Sequence, residues 1–205
     1  EQPRPQRVRV GWIAAPGTLD HLARVIQPLA IGLLDELVDL VAVVPREANT
    51  DEVPSPPAEI VPYGPLRRFG LRTGAVERLA GELRGRRLDL LHALDAQAAA
   101  LTHRLAGTLD LPEVLSSFSL ADTRRLGGLG ERAAAVVAAS DVVRRRLLER
   151  HVAPAESIRV IRPGVYLTRH ATCFIHSQQS IAIVAGGSLD DFQAFRAVLE
   201  AFAAL

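Results

Sequence analysis

Two common residue types, Met and Lys, are missing from this sequence, and Cys occurs only once. The 205 residues include no Met and no Lys, all 24 basic residues being Arg, and Cys173 is the single cysteine. One cysteine cannot form an internal disulfide, which is typical of proteins in a reducing compartment. Lys is normally among the commonest residues. Codon bias explains the absence of Lys but explains the absence of Met less readily. A sequence written without its chemically modified residues would lack both Lys and Met. The spacings between the remaining residues would then be too short at those places.

Long apolar runs and long runs of like charge are also absent. No stretch reaches the roughly 18 apolar residues of a transmembrane helix. Residues 1–10 are rich in Pro and Arg and lack the apolar core of a signal peptide, so we expect a cytoplasmic protein. The formal net charge is +1, and the longest run of like charge is residues 144–146. This composition gives no support for nucleic-acid binding.

The clearest local pattern is a strand, a helix and a second strand in the second half of the chain. Residues 134–139 form a short apolar run that suits a strand buried on both faces of a sheet. Ser140 can accept a hydrogen bond from a backbone N–H of the next turn, and Asp141 places negative charge where a helix dipole favours it, so a helix is predicted to start there. Residues 158–161 form the returning strand, and residues 162–165 close the unit.

The same alternation covers the rest of the chain. Strands are predicted at residues 7–14, 38–44, 59–63, 88–95, 112–118 and 180–185, and helices at 19–37, 66–87, 96–106 and 190–205. Pro28 should kink the first of these helices. Alternating strands and helices predict a Rossmann-like α/β fold, in which helices cover both faces of a parallel sheet and ligands bind at the carboxyl ends of the strands.

This order of elements resembles the N-terminal domain of the family 4 retaining glycosyltransferases, which have the GT-B fold. The resemblance rests on the buried strand, the Ala-x-Ser at residues 138–140, the charged helix and the Ile-x-Val-Ile-x-x-Gly-Val at residues 158–165. Where the family usually has Pro-Asn-Gly-Val-Asp, this chain has Arg-Pro-Gly-Val-Tyr. The resemblance implies an acceptor-side domain at residues 1–165, an interdomain linker at 166–180 and the start of a truncated second domain at 181–205.

The resemblance also implies a reaction. Such enzymes transfer a sugar, with retention, from a nucleotide-sugar donor to a sugar, lipid or small-molecule acceptor, and they need neither a metal nor a further cofactor. A lipid acceptor leaves peripheral membrane contact open, and the oligomeric state is not indicated. The family's donor-binding carboxylates belong to its second domain, so this chain alone is expected to be inactive. A nicotinamide-dependent enzyme is a poor alternative, because no G-x-G-x-x-G follows a strand.

Four candidate site residues follow predicted strands of the first domain. Gly17 and Thr18 follow the first strand, where the family's loop lies beside the donor diphosphate and where a Gly lets backbone N–H groups approach a phosphate. A tight turn before a helix capped by Thr18 is the alternative. His92 and Asp95 match the family segment that faces the interdomain cleft, and they are the candidate catalytic residues. A core histidine and a helix-capping aspartate are the alternatives.

In the second domain, Gly186 and Gly187 complete the candidate donor-binding set. There the family has Gly-Arg-Leu, three variable residues and Lys-Gly, whereas Ser188 replaces the Arg and the Lys is missing. A Lys between Phe192 and Gln193 would restore the family's spacing. The family's histidine after the fifth strand is also replaced, by one of residues 117–119. These departures favour the alternative function, a non-catalytic binding or scaffolding domain derived from a glycosyltransferase.

Overall fold

The computed structural model shows a parallel β-sheet in the first 164 residues of the chain. The structure describes residues 7–51, 58–64 and 73–164, together with residues 196, 199–201 and 203. The chain divides into two compact units, residues 1–166 and 167–205. In the second unit the described residues are helical, and Arg196 pairs with Glu200 at 2.6 Å.

Several sequence predictions lie outside the described residues. They are the linker at residues 166–180, the strand at 180–185, Gly186 and Gly187, and the proposed Lys position between Phe192 and Gln193.

The sheet of the first unit has seven strands in the order β3-β2-β1-β4-β5-β6-β7, and every neighbouring pair is parallel. The strands are β1 (Val8–Ile13), β2 (Val38–Pro45), β3 (Ala58–Tyr63), β4 (Leu90–Ala93), β5 (Glu113–Ser117), β6 (Ala135–Ala138) and β7 (Ile158–Val160). The predicted Rossmann-like α/β fold is therefore confirmed.

Five helices connect the described strands: α1 (Thr18–Asp35), α2 (Thr73–Arg84), α3 (Ala99–Leu109), α4 (Asp122–Arg125) and α5 (Asp141–Glu149). Buried residues of α2, α3 and α5 share one hydrophobic cluster, and those of α1 belong to another. Within β2, Val41 and Val43 belong to the first cluster, whereas Leu40 and Ala42 belong to the second. This alternation places a layer of helices on each face of the sheet, which explains why β2 is apolar from Leu40 to Val44.

Local polar groups determine where the helices begin. Ser140 caps α5 as predicted, its side chain accepting the N–H of Val143 at 3.3 Å. The predicted cap of α1 by Thr18 is wrong, because Gly17 occupies the cap position and no side chain caps the helix. The prediction for α3 is early by three residues, since residues 96–98 form a separate turn. Pro28 lies inside α1.

The strand order reverses direction next to β1, whose neighbours are β2 on one side and β4 on the other. The chain therefore leaves β1 and β4 in opposite directions, and a crevice forms between the loops that follow them. In α/β sheets ligands bind in this crevice, outside the carboxyl ends of the strands. Among the described helices, none combines the length and the apolar character needed to cross a bilayer.

Candidate functional site

A hydrogen bond joins the two loops that border this crevice. The hydroxyl of Thr18, directly after the β1 loop, donates to the Asp95 carboxylate, which follows β4. The same hydroxyl accepts the backbone N–H of Ala15 at 2.9 Å. Thr18 is only 3% exposed, so its side chain is committed to these contacts inside the protein. Thr18 thus fixes the loop rather than presenting a hydroxyl to a ligand.

Asp95 holds its own loop as well. Its other carboxylate oxygen accepts the backbone N–H groups of Gln97 and Ala98 at 2.7 and 2.8 Å. Asp95 therefore caps the turn of residues 96–98 that precedes α3, whereas Ala98 occupies the cap position of α3 itself. Since each oxygen already has a protein partner, the geometry favours a positioning role for this carboxylate over proton transfer.

The β1 loop ends at the amino terminus of a long helix. Gly17 has φ 79°, a left-handed conformation that favours glycine, and α1 begins at the next residue. The first N–H groups of a helix lack partners within the helix, and its dipole attracts anions to this end. Asp20 in the first turn places a carboxylate nearby. Helix ends of this kind are common anion sites, but here the N–H of Thr18 already donates to the carbonyl oxygen of Ala15 at 3.1 Å and the Asp20 carboxylate opposes a bound anion, which leaves the later N–H groups of the turn.

His92 lies on the face of the sheet that α1 covers, one strand away from Trp12 in register. Its Nε2 is 2.7 Å from the Ser116 hydroxyl of the next strand. Burial among apolar groups lowers the pKa of His92 to about 4, so its imidazole is neutral at neutral pH. A neutral imidazole can exchange a hydrogen bond with Ser116 but cannot supply positive charge to a phosphate.

A largely apolar cavity of about 600 Å³ borders His92 on the same face. Its walls include Trp12 of β1, Leu90 of β4 and Ile26 of α1. Phe118, one of residues 117–119 that replace the histidine of the resembled family, lines the cavity too. None of residues 117–119 is ionisable near neutral pH, so this part of the wall supplies no charge.

Sequence reasoning did not single out Tyr63, which supports the β1 loop from the opposite side. This tyrosine ends β3, and its hydroxyl donates to the carbonyl oxygen of Ala14 at 2.8 Å. Burial, together with the negative charges of Asp95 and Glu47, raises the pKa of Tyr63 above its usual range, so it stays a neutral phenol. In the sequence, the only indication of this role was a tyrosine at the end of a predicted strand.

The four predicted residues of the first unit therefore separate into two places. Gly17, Thr18 and Asp95 meet at the crevice, and His92 lies on the α1 face of the sheet. Within the described ranges, no group of three His, Cys, Asp or Glu side chains is arranged to hold a metal ion. Gly186 and Gly187 are not among the described residues.

Residues 22–169 match the sequence profile of Glycosyltransferase Family 4, which is more than half of the chain. The chain belongs to this family. A comparison with curated protein sequences found no match.

Solved structures share the fold at low sequence identity. HepE from Anabaena, solved with UDP and glucose, is 16% identical with a TM-score of 0.56, over 78% of this chain and 45% of HepE. The apo form of WaaB, a lipopolysaccharide outer core galactosyltransferase, is 13% identical with a TM-score of 0.54, over 76% of this chain and 45% of WaaB. The family 4 chain thus spans less than half of these proteins, consistent with the N-terminal half-domain of a GT-B fold.

The same half-fold occurs in an enzyme of a different class. UDP-N-acetylglucosamine 2-epimerase from Rickettsia bellii is 13% identical with a TM-score of 0.56, over 76% of this chain and 44% of the epimerase. At such identities the likeness shows the fold alone. The family match, and not the fold, therefore distinguishes a glycosyltransferase-like chain from other proteins of this architecture.

Proposed function

We propose that this chain forms the acceptor-side half of an enzyme that transfers a sugar from a nucleotide-sugar donor to an acceptor with retention. The observation that carries the proposal is the bond between Thr18 and Asp95 in a family 4 chain. It joins the two loops at the crevice where α/β sheets bind ligands. Neighbours of the same fold were solved with UDP and with UDP-glucose, which supports a nucleotide-sugar donor.

Each part of the crevice has a role in this proposal. The N–H groups at the start of α1 face the donor's diphosphate, and Gly17 lets the phosphate approach the backbone. Thr18 and Asp95 hold this loop in place and act as positioning residues. The neutral His92 supports the adjacent wall through Ser116 and contributes no charge. Catalysis then depends on orienting the two substrates, which can supply much of a rate enhancement.

One observation favours the alternative, a non-catalytic binding or scaffolding domain. The Thr18 hydroxyl and both Asp95 oxygens have protein partners, and His92 lies beside an apolar cavity. These groups can all be explained by folding alone. Only turnover of a nucleotide sugar distinguishes the two functions.

The experiment compares two aspartates at opposite ends of β4. Asp95 follows the strand, whereas Asp89 precedes it and accepts the N–H of Arg9 at 2.7 Å. Each of Asp95→Ala and Asp89→Ala removes a carboxylate that accepts a backbone N–H, so each should lose on the order of 1 kcal/mol of stability. In the natural protein that contains this chain, Asp95→Ala should also lower kcat/KM by up to about a hundredfold, because a displaced loop misorients the substrates.

Asp89→Ala should leave kcat/KM unchanged, since it lies at the amino end of the strand. Equal loss of turnover in the two variants would mean that the crevice has no special role. No turnover by the wild-type protein, with UDP-, GDP- and dTDP-sugars each offered with sugar, lipid and phosphorylated acceptors, would contradict the proposed transfer and favour the binding or scaffolding function.

A further inference from the structure

A second cavity opens beside the crevice, between the end of β3 and one face of α2. It has a volume of about 330 Å³, at the lower end of the range for small-molecule sites. Its lining residues are Arg46, Pro62, Tyr63, Gly64, Ala75, Arg78, Leu79 and Glu82. Two arginines and one glutamate therefore face the same space, and the sum of their charges is positive.

Neither arginine is engaged elsewhere in the described part of the chain. Arg46 follows β2 directly, where its backbone N–H donates to the carbonyl oxygen of Tyr63 at 2.8 Å. No hydrogen bond or ion pair of the Arg46 or Arg78 guanidinium occurs among the described residues. By contrast, Arg9 and Arg86 both pair with Glu59, at 2.8 and 2.7 Å. Among the residues that the structure describes, the cavity thus combines two guanidinium groups without a partner.

The position of Arg78 adds a further attraction for anions. Its Nη1 lies 3.8 Å from where a Cβ on Gly74 would be, so the guanidinium reaches back over the first turn of α2. The N–H groups of that turn and the helix dipole favour negative charge at the same place. A guanidinium is also a planar fork that binds two oxygens of a phosphate at once.

Tyr63 connects this cavity to the crevice. It lines the cavity, and its hydroxyl holds Ala14 at the start of the β1 loop. Strands β3 and β1 are separated by two strand spacings, roughly 10 Å. A ligand in the crevice can therefore extend one end of itself toward Arg46 and Arg78.

We propose that Arg46 and Arg78 bind a phosphate ester carried by the acceptor. This inference rests on the proposed function, because it assigns the substrate class of the same enzyme. The phosphate belongs to a soluble phosphorylated sugar or polyol, although the headgroup of a phospholipid would present the same chemistry. Glu82 at the rim can then accept hydroxyl hydrogens from the sugar or polyol part of the ligand.

The test measures binding to the 205-residue chain, with glucose 6-phosphate as the probe and glucose as its uncharged counterpart. We expect the chain to bind glucose 6-phosphate more tightly than glucose. Arg46→Gln and Arg78→Gln should each weaken that binding about tenfold, the usual cost of one charge-assisted contact. Arg145→Gln is the matched control, since Arg145 is an exposed arginine on α5 and should leave binding unchanged. Melting curves of all variants check that they fold.

A second arm distinguishes the source of the phosphate. The same proteins are sedimented with vesicles of phosphatidylcholine, with and without phosphatidylinositol. If the acceptor is a lipid, the wild type should bind only the vesicles that contain phosphatidylinositol. Arg46→Gln and Arg78→Gln should each abolish that binding. Equal affinity of wild type, Arg46→Gln and Arg78→Gln for every probe would overturn the inference, as would an equal loss in Arg145→Gln. The binding assay contains no nucleotide sugar, so its outcome does not depend on whether the enzyme turns over. A failure of the proposed sugar transfer and a failure of phosphate binding are therefore distinguishable.

Discussion

Protonation of His92 should destabilise the folded protein, and this prediction tests the surroundings of a candidate site residue directly. Burial lowers its pKa from 6.5 to about 4, because the charged imidazolium would lose its hydration. The unfolded chain therefore binds a proton more readily than the native state does. The stability of the native state is complete above about pH 6.5, falls as the pH drops toward 4, and then levels off as far as this group is concerned.

The magnitude follows from the size of the shift. One pKa unit corresponds to about 1.4 kcal/mol, so a fully desolvated ring would lose about 3 kcal/mol across this range. Because the side chain is only half-buried, water reduces the penalty, and we expect a loss of about 1–3 kcal/mol. Other acidic and basic groups also titrate there, so the wild-type curve alone does not isolate His92.

The measurement is urea unfolding of the wild type and His92→Gln at pH values from about 4 to 7. Glutamine keeps a polar group near Ser116 but does not gain a proton. The free energy of unfolding of the wild type minus that of the variant should decrease toward acid pH, while all other titrations cancel. A difference that stays flat would show that the pKa of His92 is not shifted in the native state, and one that increases on acidification would show that the native state favours the imidazolium; either result would refute the prediction.

Three further substitutions test the packing and helix capping of the first unit. Gly130→Ala should destabilise the protein by about 1–3 kcal/mol, because the added Cβ would lie 2.5 Å from the carbonyl oxygen of Val152, and thermal unfolding measures the loss. Leu105→Ala, which empties a fully buried position on α3, should cost about 2–5 kcal/mol in urea unfolding without shifting the registers of the sheet. Ser140→Ala should cost about 1 kcal/mol and expose the N–H of Val143 to faster hydrogen exchange.

The fold could be predicted from the sequence because most of its strands and helices have recognisable local sequence patterns. Residues 134–139 and 40–44 are short apolar runs, which are typical of strands buried between two layers. The errors lie at element ends, where a side chain's partner is distant in sequence. Thr18 looks like a helix cap until its hydroxyl is seen to bond Asp95, and the bond spans 77 residues. No local pattern contains that information.

The candidate site was less accessible to prediction for the same reason. Gly17 and Thr18 were predicted from their place after the first strand, which requires only the order of elements, whereas Asp95 was predicted from the resemblance to a family segment. Tyr63, Arg46 and the second cavity were missed, since neither an isolated tyrosine nor one arginine among 24 forms a motif. What brings them together is the position of β3 at the edge of the sheet, and a sequence does not reveal which strand lies there.

The β1 loop has a single glycine, Gly17, where the resembled family usually has a pair, and the contacts around it bear on its proposed role. Ala14 is held by β2, since its N–H donates to the carbonyl oxygen of Val43 at 3.0 Å, and by β3, through the Tyr63 hydroxyl. Thr18 is held from the β4 side by Asp95. Restraint from both sides means that the loop's ordering entropy is lost on folding and not on ligand binding. A second glycine would add conformational freedom that these contacts would have to remove, so one glycine between two anchored residues, Ala14 and Thr18, supports the proposed phosphate-binding role of this loop.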